Sequence, residues 1–206
     1  MVKLIMLVKE KFYRVFLKIK KIFFSSFFLF FFSINLSYSD IQEDLTNKYK
    51  SINTLTFNFT QKVGDKIETG NCYIQYSLLM SCEYPKKKKF IIVDGKKFAI
   101  VKKRYKKIYY YPLKKTPLYF LLDKEKILNL VKNYKPFSIN KDVIEYEVEG
   151  KKSSKLKIFF SRKNLDLLGW KTIDAYSNQV NFIIKDLKIN LLIEKSNFKI
   201  PKEEDL

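Results

Sequence analysis

Apolar and polar residues alternate with a period of two along much of this chain, and each alternating run predicts a half-buried β-strand. Leu55, Phe57 and Phe59 alternate with Thr54, Thr56, Asn58 and Thr60. Gly64-Asp65 turns the chain, and Ile67 to Tyr76 and Leu79 to Tyr84 read as the next two strands. The apolar run Phe90 to Val93 ends in Asp94-Gly95, a dipeptide suited to a tight hairpin because both residues tolerate positive φ. Phe98 to Val101 and Ile108 to Tyr111 follow as consecutive antiparallel strands, with the basic loop Lys102 to Lys107 left in solvent. Later, Val143 to Glu149, Lys155 to Ser161, Leu167 to Tyr176 and Val180 to Lys188 carry strand patterns, the last two joined across Ser177-Asn178. Phe198 and Ile200 close the chain in a short extended tail.

The period changes in two places. Asp40 is expected to begin a helix, with Glu43 completing a capping box and Ile41, Leu45, Tyr49 and Ile52 on one face. After Pro112, Thr116 is a candidate N-cap and Pro117 fits the first helical position. Leu118 to Leu122 is apolar all round, so it must be covered on more than one side or must itself cover something apolar. A second helical stretch, Asp123 to Tyr134, places Ile127, Leu128, Leu130 and Val131 together. The predicted fold is mainly β, of the α+β class: a large curved antiparallel sheet under helical covers that enclose an apolar space.

The N-terminus does not share this pattern. Lys3 to Lys21 is a basic region, and the apolar run Ile22 to Ile34 is shorter than the ~20 residues a membrane-spanning helix needs. Ser37-Tyr38-Ser39 then predicts cleavage before Asp40. Residues 1–39 read as a secretory signal peptide, with an uncleaved anchor as the lesser reading, and 40–206 as one folded, exported, soluble domain. No cysteine stands at the expected mature N-terminus, so a lipid-attached form is not expected.

The chain has 41 basic and 21 acidic side chains, a net charge of +20. Such a charge favours anionic lipid or acidic partners. Abundant Lys, Ile, Asn and Phe beside two alanines is also what an AT-rich genome produces. No nucleic-acid-binding motif accompanies the lysines, so nucleic acid is not an expected partner. An exported compartment oxidises thiols. A turn centred near Ser77 would bring Cys72 and Cys82 opposite one another, either as a disulfide or as two small buried thiols.

There is no histidine, which removes Ser-His-Asp and Cys-His catalysis and histidine metal sites. Two cysteines do not make a tetrahedral zinc site, and no phosphate loop or dinucleotide fingerprint is present. No catalytic residue, metal or cofactor is expected. The pairs Glu145 with Glu147 and Glu203 with Glu204 could serve acid–base work on a glycan, but alternating acids on a strand are ordinarily its wet face. The residues describe a container.

An ordered series of motifs resembles the LolA family of outer-membrane lipoprotein carriers, in a form close to the alphaproteobacterial one. The series is Phe57-Asn58-Phe59-Thr60-Gln61, Gly70, Glu83-Tyr84-x-x-Lys, Ile92-Val93-Asp94-Gly95-Lys96, and Tyr111-Pro112-Leu113-x-x-Thr116-Pro117-Leu118-x-Phe120-Leu121-Leu122. Gly169-Trp170-x-x-Ile173-Asp174 and Phe198-x-Ile200-Pro201 complete it. The resemblance implies an incomplete, strongly curved antiparallel β-barrel closed by a helical lid over a hydrophobic cavity. It implies a monomeric periplasmic chaperone that takes acylated lipoproteins from an inner-membrane lipoprotein-releasing ABC transporter to an outer-membrane acceptor or the membrane itself. The alternative is an exported module that binds lipid or another hydrophobic ligand without a transport cycle.

By the same resemblance, Phe57, Phe59, Ile91, Val93 and Phe98 line the cavity from strands, and Leu118, Phe120, Leu121 and Leu122 cover it. One position departs from the family. Many members carry Arg-Pro where Tyr76-Ser77 stands here, and the arginine is thought to latch the lid. A phenol offers one donor where a guanidinium offers five, so the latch is expected to be weak or absent.

Overall fold

A computed structural model of the chain describes residues 36–149, 155–174 and 177–206. The expected leader falls mostly outside them. Two compact units are distinguished, Met1–Glu43 and Asp44–Leu206. Of the first, residues 36–43 are described, and they are helical.

Helix α1 spans Leu36–Ser51, so it begins upstream of Asp40 and the expected capping box is not its start. Neither Gly nor Pro stands between Leu36 and Asp40 to stop the helix there. Leu45, Tyr49 and Ile52 are buried, as their spacing requires.

The second unit is built on one sheet whose neighbouring strands all pair antiparallel. Its first six strands form a meander: β1 (Thr54–Val63), β2 (Lys66–Gln75), β3 (Leu79–Tyr84), β4 (Lys89–Asp94), β5 (Lys97–Lys102) and β6 (Lys107–Pro112). The rest form a second meander: β7 (Ser138–Ile139), β8 (Val143–Glu149), β9 (Lys155–Ser161), β10 (Leu167–Ile173) and β11 (Gln179–Ile189). β1 pairs with β11, giving the order β6-β5-β4-β3-β2-β1-β11-β10-β9-β8-β7. The sheet does not close, because β6 and β7 are free edges. This is the incomplete barrel that the alternation and the resemblance predict.

The chain crosses from one free edge to the other through residues 113–137. That connection carries α2 (Leu118–Leu122) and α3 (Lys124–Asn133), with Leu121, Leu122, Ile127, Leu130 and Val131 buried. Thr116 is not the N-cap: its hydroxyl donates to the Leu113 carbonyl, and Pro117 takes the cap position. Proline can do so because the missing N–H is one the first turn leaves unpaired.

The β4–β5 turn also differs in detail from the expectation. The loop is Gly95-Lys96, with Gly95 at φ 95°, while Asp94 ends β4 and its Oδ1 accepts from the Lys96 and Lys97 amides. The C-terminal segment is not extended. Lys195–Phe198 and Glu203–Asp205 form short 3-10 turns, and Phe198 is buried. Ile200 and Leu206 pack on the outer face of the sheet against Ile92, Ala99, Val101 and Ile108. Glu203 Oε1 accepts the Ile108 amide at 2.9 Å. The tail thereby occupies part of the β6 edge that would otherwise be free to pair with another chain.

Candidate functional site

Strand register sorts the inner-face residues into rows. One row runs Leu55, Ile74, Met80, Val93, Phe98, Tyr111 across β1 to β6. The next runs Phe57, Cys72, Cys82, Ile91, Ile100, Tyr109. Phe57, Phe59, Ile91, Val93 and Phe98, the strand residues singled out by the sequence, therefore share one face. Ile100, Tyr109 and Tyr111 continue their rows and were missed, although their alternation with Phe98 and Ile108 was visible.

Cover falls off along both rows. Leu55 and Val93 are 0% exposed, Phe98 is half-buried, and Tyr111 is 45% exposed. Phe57 and Cys72 are buried, Ile91 and Ile100 are half-buried, and Tyr109 is 44% exposed. On the closed side the protein fills its own interior. Phe59 stacks on Phe182 at 4.6 Å, Phe182 on Trp170 at 4.0 Å, and Tyr49 meets Phe160 edge-on at 5.2 Å. On the β4–β6 side, apolar inner-face surface remains that no side chain among the described residues fully covers. Leu118 and Phe120 of the crossing segment are likewise half-buried, while Leu121 and Leu122 are buried.

The crossing segment is fastened by main-chain groups. Leu122, the last residue of α2, has a carbonyl with no partner in its own helix. It accepts the Leu78 amide from the β2–β3 turn at 3.0 Å. The Leu113 amide donates to the Lys96 carbonyl, and Lys124 Nζ donates to the Lys50 carbonyl at 2.8 Å. Cys72 and Cys82 face one another in the same hairpin and are joined as a disulfide, with Cα atoms 4.1 Å apart.

Tyr76, the candidate latch position, stands in the β2–β3 turn. Its hydroxyl is buried without a hydrogen-bond partner among the described residues, as is that of Tyr49. Burial pushes the Tyr76 phenol up; burial, then Tyr76 and Asp166, pushes up that of Tyr49. An unpaired buried hydroxyl is a cost, so Tyr76→Phe should leave stability unchanged or raise it by up to about 1 kcal/mol. Urea unfolding checks this, and a loss larger than about 1 kcal/mol would mean that the hydroxyl is partnered after all.

Charge sits at the far end of the inner face. Tyr84, Lys89, Lys102 and Lys107 form a third row. Lys89 pairs with Glu68 at 2.6 Å and lies over the Tyr84 ring, whose hydroxyl donates to Gln61. The carboxylate pairs have other work. Glu145 and Glu147 are bound by Lys157 and Lys155, and hydrogen bonds from Lys155 first hold the Glu147 carboxyl below its usual range. A general acid needs the opposite shift. Glu203 accepts the Ile108 amide, and Glu204 pairs with Lys202.

The model of the family described as Outer membrane lipoprotein carrier protein LolA matches residues 50–201. No curated protein matches the sequence. Among solved structures, the chain is similar to an uncharacterized conserved protein from Thermus thermophilus. The identity is 10% and the TM-score 0.48, over 81% of this chain and 95% of that one. It is also similar to a LolA superfamily protein from Nitrosomonas europaea, at 10% identity and TM-score 0.42, over 79% and 97%. LprF from Mycobacterium bovis matches at 12% identity and TM-score 0.43, over 78% and 97%.

Proposed function

Because the chain belongs to the LolA family of outer membrane lipoprotein carrier proteins, we propose that it carries lipoproteins through the periplasm by holding their acyl chains between the inner face of β4–β6 and the segment 113–137. On this reading residues 1–39 export it, an inner-membrane lipoprotein-releasing ABC transporter loads it, and the outer membrane or an acceptor there unloads it. Ile91, Phe98, Leu118 and Phe120 would meet the acyl chain, while Phe57, Phe59, Val93, Leu121 and Leu122 would form the packed wall behind it. One observation carries the reading: the two apolar rows continue past the filled core to half-covered Ile91, Phe98 and Ile100.

The energetics demand such a shelter. Each buried methylene is worth about 0.8 kcal/mol, so a ~16-carbon acyl chain costs on the order of 13 kcal/mol to expose to water. Binding and release need no covalent chemistry.

A fluorescent fatty-acid probe tests the site. The wild type should take up the probe, and Phe98→Asp should weaken uptake about tenfold or more, because a carboxylate must then be desolvated beside the chain. Phe98 is half-buried, so the same variant should remain folded by circular dichroism. Unchanged uptake in Phe98→Asp would move the ligand elsewhere. The unpartnered Tyr76 hydroxyl favours one other reading, a lipid-binding module that exchanges its ligand without a transporter.

A further inference from the structure

The hairpin turns alternate between the two ends of the β1–β6 meander. At the end away from Leu78 and Gly95 stand two loops of the same build, Pro85–Lys88 and Lys103–Lys106. Each is one 3-10 turn closed by a lysine in the left-handed region, Lys88 at φ 48° and Lys106 at φ 49°. Glycine is the residue that adopts this conformation without strain. The Lys103 amide donates to the Lys88 carbonyl at 3.0 Å, so the loops are tied side by side.

Together they present Lys86, Lys87, Lys88, Lys103, Arg104 and Lys106, and neither loop contains a carboxylate. Two of the acids at this end are engaged, Glu68 by Lys89 and Glu203 by Lys107 and the Ile108 amide. Tyr105, between Arg104 and Lys106, is 63% exposed.

We infer that this paired loop surface docks the protein on anionic phospholipid, at the end of the sheet opposite the Leu78–Leu122 contact. The composition selects this partner. Lysines on flexible stems suit a diffuse layer of phosphate charge, whereas fitted recognition of single carboxylates or phosphates favours arginine, and only Arg104 is present here. A tyrosine among lysines is the residue pair of a membrane interface. Each basic residue brought to an anionic leaflet raises the partition about fivefold. Docking by these loops leaves the lid end free, and the inference stands whether or not the acyl-chain reading holds.

Vesicle flotation tests it, with vesicles of phosphatidylcholine alone or mixed with equal phosphatidylglycerol. The protein is used as recovered from the expressing cell, so that every variant has the same N-terminus. Wild type should float with the anionic vesicles at low salt and far less at about 0.5 M NaCl, where the Debye length shrinks to a few Å. The combined variant Lys86→Gln, Lys87→Gln, Lys103→Gln, Arg104→Gln should lose about a hundredfold or more of this partition. A control with Lys132→Gln, Lys135→Gln, Lys163→Gln and Lys185→Gln has the same net charge and should keep it. Circular dichroism melts confirm that both variants fold. Equal loss in the two variants would mean that net charge alone attracts the protein, and would overturn the inference. So would flotation with neutral vesicles to the same extent, or loop-dependent binding to an acidic protein without any to lipid.

Discussion

Gly70→Ala should destabilise the protein by about 3 kcal/mol or more, lowering the melting temperature by roughly 6–12 °C for a domain of this size. Gly70 sits on β2 opposite Phe59 of β1, and its missing side chain is what lets the ring lie flat on the sheet. A Cβ there would fall inside the Glu83 carbonyl oxygen and 2.8 Å from Phe59 Cζ. The carbonyl belongs to the β3 backbone and the ring is held between Tyr84 and Phe182, so neither yields easily. Gly64 is the comparison. A Cβ there meets nothing within 4 Å, and only its φ of +56° opposes a side chain. Gly64→Ala should therefore cost about 1 kcal/mol. Urea unfolding of the two variants side by side checks the difference, and equal effects would contradict it.

Opening the disulfide is the second large effect. Cys72 and Cys82 are separated by 10 residues, and releasing a loop of that size restores chain entropy worth about 3 kcal/mol to the unfolded state. Cys72→Ala with Cys82→Ala should show that loss. Wild type treated with a reductant should fall most of the way to the same stability. The consequence reaches α2, because this hairpin presents the Leu78 amide to the Leu122 carbonyl. Faster amide exchange at Leu78 in the reduced protein is the expected sign. Equal melting with and without reductant would show that the bridge contributes nothing.

Most strands were readable because they carry their own alternation, since burial on one face forces period two; β4 was read from a continuous apolar run, and the two-residue β7 was not read at all. The apolar segment Leu118 to Leu122 was readable for a similar reason: five consecutive large apolar residues after Pro117 need cover wherever they lie. What escaped detection depends on distant parts of the chain. Pairing of β1 with β11 leaves no local trace, and it is this pairing that joins the two meanders into one sheet. The fastening of α2 runs through the Leu78 amide and the Leu122 carbonyl, main-chain groups of ordinary leucines, so no side chain announces it. The tail reads as extended because Phe198 and Ile200 alternate, yet Phe198 is buried within a 3-10 turn and Ile200 lies on the outer face. Phe57 and Phe59 look like cavity residues in isolation, and only Phe182 and Trp170, far along the chain, reveal that they are already packed.

The release of newly made lipoprotein from the inner membrane tests the carrier function most directly. The protein is added to spheroplasts, or to proteoliposomes holding an active lipoprotein-releasing transporter, and the soluble fraction is examined. A carrier should bring lipoprotein into that fraction in a one-to-one complex with itself, and Phe98→Asp should lower the yield. No soluble complex, with the transporter demonstrably active toward a known carrier, would contradict the carrier function.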